Sequence, residues 1–169
     1  MRRPTILSSD RLTIYLNDHL AGAAFGGELV RRALSENHGT DFAPFLRELA
    51  AEIEQDRRSA EALRVRLAVP RDRVKATGGW LAEKAGRLKL NDRFRGYSPL
   101  SRLLELEALA GGIQAKLSLW RSLRQLAAVD GRLQAAELDD LIARAESQLD
   151  RLATTHARAG RLALTSSSG

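Results

Sequence analysis

Apolar residues recur every three or four positions in four long stretches of this chain, a spacing that predicts four amphipathic helices. In the first, from about Asp10 to Leu34, the positions Leu12, Leu16, His19, Ala23, Gly27, Val30 and Leu34 share one face, with Ser9 as N-cap. The second runs from about Asp41 to Ala68 behind Thr40 as cap, and its face is Phe42, Leu46, Leu49, Ile53, Asp56, Ala60, Leu63 and Leu67. Pro70 ends it, because proline cannot continue the backbone ladder. The third opens at Ser98-Pro99, a pairing of N-cap and first helical residue in which the missing proline N–H would have gone unpaired anyway. Its inner positions are Leu103, Leu106, Ala110, Ile113, Leu117 and Trp120. The fourth, from about Gln134 to Ala159, turns Leu138, Leu141, Ala145, Gln148, Leu149 and Leu152 inward.

Loop lengths turn this pattern into a topology. Asn37 and Gly39 mark a tight turn between the first two helices, and Asp130-Gly131 marks one between the last two, so each pair is an antiparallel hairpin. The link over residues 70–98 is long enough to travel back along the second helix, which makes the second and third helices parallel. Inside it a short extra helix is predicted from Trp80 to Leu88, with Trp80, Leu81, Leu88 and Leu90 packed on the bundle. The expected layout is a tail over residues 1–8, an all-α four-helix domain over 9–162 and a disordered tail over 163–169.

Composition narrows the class. Apolar residues make up 44% of the 169-residue chain and aromatics only 5%, which suits one domain with an aliphatic helical core. The absence of cysteine removes disulfides, thiolate ligands and cysteine nucleophiles. Met1-Arg2-Arg3 is basic but no apolar stretch follows it, and no segment is apolar enough to span a bilayer, so a cytoplasmic protein is expected.

Two segments at matching places in the second and fourth helices carry a family likeness: Leu49-Ala50-Ala51-Glu52-Ile53-Glu54-Gln55-Asp56 and Leu141-Ile142-Ala143-Arg144-Ala145-Glu146-Ser147-Gln148. With the long central crossover, they make the chain resemble the ferritin-like superfamily over residues 9–160. That resemblance implies a di-iron site with a Glu-x-x-His motif on each of these two helices. The corresponding positions here are Ile53 with Asp56 and Ala145 with Gln148, so both sets of ligands are degenerate.

Counting outward from each loop sets His19 opposite Asp56 and Gln114 opposite Gln148, all at one height in the bundle. The expectation is a buried polar layer of four side chains, one per helix, with His19 paired to Asp56. The same layer is the candidate ligand or metal site, with Glu52 and Glu107 as second-tier carboxylates. No cofactor is expected, and iron or manganese is the alternative.

The crossover supplies the other candidate surface. Arg71, Arg73, Lys75, Lys84, Arg87, Lys89, Arg93 and Arg95 give residues 71–95 a net charge of +5, against +6 for the whole chain. Such a segment could take an acidic protein, a nucleic acid or an anionic membrane surface, or stand solvated. Gly22, Gly26 and Gly27 in the first helix, and Gly111-Gly112 in the third, cost helix propensity and are expected where helices approach closely. His38 and His156 have no constellation, and no phosphate loop, HExxH or G-x-S-x-G occurs. The functional expectation is a homo-oligomeric binding or scaffolding bundle and not an enzyme, with a metal-dependent oxidoreductase or metal-storage protein as rival.

Overall fold

A computed structural model of the chain describes residues 9–71 and 97–165. Four helices account for nearly all of these residues: α1 (Ser9–Glu36), α2 (Ala43–Arg66), α3 (Pro99–Leu126) and α4 (Ala135–Leu164). No strand occurs among the described residues, and no helix there is long and apolar enough to cross a membrane. The extra helix expected at Trp80 to Leu88 lies outside the described residues, as do the tails over 1–8 and 166–169.

Local chemistry explains the boundaries and three departures from expectation. The α1–α2 turn closes on Asn37 N–H to Ala33 O at 3.0 Å and on Gly39, whose φ of 78° is left-handed backbone that glycine adopts without a Cβ clash. Thr40 does not cap α2. Its Oγ1 accepts from Phe42 N at 3.2 Å, Phe42 takes the N-cap position without a side-chain cap, and Pro44 sits in the first turn. α2 stops at Arg66 rather than Ala68, because Ala68 turns into left-handed backbone at φ 56° ahead of Pro70. Ser98 and Pro99 do open α3: the Ser98 hydroxyl accepts from Ser101 N at 3.1 Å, and Ser101 reaches back to Ser98 N. α4 runs to Leu164, through Gly160 and into the segment expected to be a disordered tail. Its last turn is closed by Thr165, whose hydroxyl donates to Arg161 O at 2.6 Å.

Contacts between distant residues fix the directions. At one end, Arg158 Nη2 near the end of α4 donates to Asp41 O at 2.8 Å. Arg102 of α3 and Arg158 also both lie over the Phe42 ring, 4.3 and 4.2 Å from its centroid. At the other end, Arg132 Nη1 donates to Leu67 O at 3.0 Å, and Arg66 pairs with Glu137 at 2.5 Å. α2 and α3 therefore point the same way, and α1 and α4 point the opposite way. α1 packs against α2 and α3, and α3 packs against α4. The core is aliphatic around Trp120, with Leu16, Leu46, Leu63, Leu106, Leu123 and Leu138 fully enclosed.

Candidate functional site

The glycines explain what lies at mid-height. Gly22 and Gly26 are one turn apart on α1, and Gly111 and Gly112 are adjacent on α3. A Cβ built on any of these four would meet nothing within 4 Å among the described residues. The expected close helix approach is therefore absent at these positions: with no side chains to fill the space, they leave a cavity of about 220 Å³ between α1, α2 and α3. Its apolar wall includes Ala23, Leu29, Ile53, Ala60, Leu109 and Ile113. Its polar wall is His19, Asp56, Lys116 and Trp120, with Asp18 and Arg57 also on the lining.

Asp56 organises that wall. Its side chain is 2% exposed, so its charge needs partners. Three come from other helices. Lys116 Nζ of α3 bonds its Oδ2, and Gln148 Nε2 of α4 donates to the same oxygen at 3.1 Å. Arg144 of α4 covers Oδ1, with Nε at 2.7 Å and Nη2 at 2.6 Å. Lys116 closes the ring by donating to Gln148 Oε1 at 2.5 Å. Burial pushes the Lys116 ammonium below the usual lysine range, and the charge and hydrogen bond of Asp56 oppose that shift.

His19 lines the cavity but does not join this ring of bonds. It meets Tyr15 edge-on with ring centroids 4.6 Å apart. Burial lowers its pKa below the ordinary histidine value, against the raising effect of the Asp18 charge, which favours the neutral imidazole. Gln114 is exposed on the far side of α3. The height assigned to the layer places Asp56 and Gln148 together, but the α3 member is Lys116. Two residues is a rotation of about 200° around a helix, enough to point Gln114 away.

The second-tier carboxylates are tied up elsewhere. Glu52 pairs with Arg151 at 2.5 Å, and Glu107 with His156 at 3.2 Å. Of the basic crossover only Arg71 is described, 3.6 Å from Glu61; Arg73, Lys75, Lys84, Arg87, Lys89, Arg93 and Arg95 lie outside the described residues.

A di-iron centre does not fit these side chains. The two positions that would hold its glutamates, Ile53 and Ala145, are apolar and buried. The buried carboxylate at the layer, Asp56, already carries an ammonium and a guanidinium, which would repel a divalent cation. Among the described residues no three His, Asp or Glu side chains gather as a ligand set.

A second buried cluster sits at the Phe42 end and was not anticipated. Glu105 of α3 is 1% exposed; it accepts from the Tyr97 hydroxyl at 2.9 Å and faces Arg32 of α1 at 3.3 Å. Fully buried Asn37 donates to Ala33 O at 2.7 Å and to the Tyr97 hydroxyl at 2.5 Å, and accepts from Arg102. Burial raises the Glu105 pKa, with the Tyr97 bond and Arg32 pulling it down. Burial and the adjacent Glu105 charge raise that of Tyr97. The signal in the sequence is the stripe Glu105, Leu109, Ile113, Lys116, Trp120 and Leu123, which puts two charged groups on the inner face of α3.

Comparison with protein-family models, with curated proteins and with solved structures returned no match for this chain. The molecule is defined by its own geometry: an all-α bundle with a mid-height cavity walled on one side by a ring of buried charges.

Proposed function

We propose that this is a small-molecule-binding bundle, ferritin-like in layout, in which a ring of bonded side chains stands where a metal centre would be and the cavity receives a ligand. The carrying observation is the set of four helix-weakening glycines with open space where their side chains would lie. Each costs about 0.8–1 kcal/mol relative to alanine, and none is required by a close neighbour. Departures from local propensity without a packing reason are expected at functional sites. The parallel setting of α2 and α3 supports the ferritin-like part of the reading.

The volume gives a scale. A dry cavity of about 150 Å³ accepts benzene, so about 220 Å³ suits a ligand of about nine non-hydrogen atoms. The test is thermal unfolding with toluene, benzyl alcohol and indole as probes. At ten times its dissociation constant a probe adds about 1.4 kcal/mol of stability, a rise in Tm of about 3–6 °C. A Gly26→Leu variant, which fills the cavity, should lose that rise. Failure of every probe to stabilise the wild-type protein would refute the reading.

A further inference from the structure

The unmatched donors on the cavity wall say what chemistry the ligand carries. Trp120 is 0% exposed, lines the cavity, and its Nε1–H has no acceptor among the described residues. A buried donor left unpaired is costly, and an acceptor oxygen on a ligand removes that cost. Lys116 sits one helical turn before Trp120 on the same face of α3, and both line the cavity. An ammonium has three hydrogens; Asp56 and Gln148 take two of those of Lys116.

Charge points the same way. At the layer one carboxylate, Asp56, stands against two cations, Lys116 and Arg144, leaving one positive charge in excess. Outside the layer, Arg57 of α2 pairs with Glu54 at 2.8 Å. Arg151 is shared by Glu52 at 2.5 Å and by the exposed Glu48 at 3.5 Å, and the Glu52 charge is felt by Lys116 without a bond to it. Asp18 of α1 is exposed, so water screens its charge. His19 is the remaining titratable group on the lining, and burial favours its neutral form.

We propose that the cavity selects a small amphipathic monocarboxylate, with its apolar body among Ile53, Ala60, Leu109 and Ile113 and its carboxylate bridging the Lys116 ammonium and the Trp120 indole N–H. A carboxylate adds the missing negative charge and supplies acceptors to both donors at once. With about nine non-hydrogen atoms to place, three in the carboxyl group, the body is a single ring or a chain of about six carbons. This rests on the cavity being a ligand site, and its test separates the two.

Trp80→Phe protein leaves Trp120 as the only indole, so one N–H resonance reports the site. That resonance is followed by NMR while the protein is titrated with benzoate, octanoate, benzyl alcohol and toluene. The proposal expects benzoate to bind at least about tenfold tighter than benzyl alcohol, because hydrogen bonds to charged groups are the stronger ones. It also expects a downfield shift of the indole proton with benzoate but not with toluene. In Lys116→Met the preference should collapse while toluene affinity stays within about twofold. If that variant does not fold, the wild-type comparison of benzoate with benzyl alcohol decides alone. Toluene binding with no carboxylate preference overturns this inference and leaves the cavity reading standing. No binding by any of the four overturns both.

Discussion

Filling the empty positions on α1 and α3 should make the protein more stable. Take Gly22→Ala, Gly26→Ala, Gly111→Ala and Gly112→Ala, singly and together. Each added methyl meets nothing within 4 Å among the described residues, so no steric cost from them offsets the helix-propensity gain. That gain is about 0.8–1 kcal/mol per site, and part of it arises from restricting the unfolded chain. The two pairs lie on different helices and share no contact, so the effects should nearly add, to about 3–4 kcal/mol for the quadruple variant. For a chain of this length that is a rise in Tm on the order of 10 °C. Urea unfolding provides the free energies, with an unchanged m-value confirming that the surface exposed on unfolding is the same. The same variant should bind toluene more weakly, because four methyl groups occupy part of the 220 Å³ cavity. A loss of about 1 kcal/mol or more at any one site would show that a neighbour packs against that glycine, and the cavity reasoning would fail there.

Two further perturbations test the buried charges. Asp56→Ala strands Lys116, Arg144 and Gln148, and should cost about 3 kcal/mol in urea unfolding, with Asp56→Leu/Lys116→Met recovering part of it; a cost below about 0.5 kcal/mol would mean that the ring of bonds does not form in solution. Glu105 has a raised pKa, so the folded state binds its proton more tightly than the unfolded chain does. Its contribution is fully present below about pH 4.5, the unfolded value, and is lost as pH rises through the raised folded value. Stability of Glu105→Gln relative to wild type should therefore climb from pH 4.5 towards neutrality, and a flat difference over that range would contradict the burial of a charge at this end.

Legibility in the sequence followed the strength of the pattern. All eight positions assigned to the inner face of α2 are buried, Asp56 included, because that helix keeps an unbroken three-four spacing. Ser98 and Pro99 were readable because capping chemistry is local. The layer was harder. Its height followed from loop counting, but the choice of Gln114 over Lys116 turned on rotation about α3, and a lysine is ordinarily assigned to solvent. The Glu105 cluster was hidden for the same reason. The glycines were visible as a cost, but whether a neighbour fills the space beside them depends on helix separation, which spacing along one chain does not encode.

The ring around Asp56 draws on α2, α3 and α4, and α1 contributes no bond to it. Three walls of the bundle are thus pinned to one another by charge, with directional bonds that fail together if any of those helices shifts by a turn. The α1 wall at the same height carries Gly22 and Gly26, beside which the cavity lies, and sends no side chain into that ring. The bonds that fix helix register at this level therefore lie on one side of the cavity, and the glycines on the other. Amide protons around Gly22–Gly26 should be the first at that level to exchange with solvent.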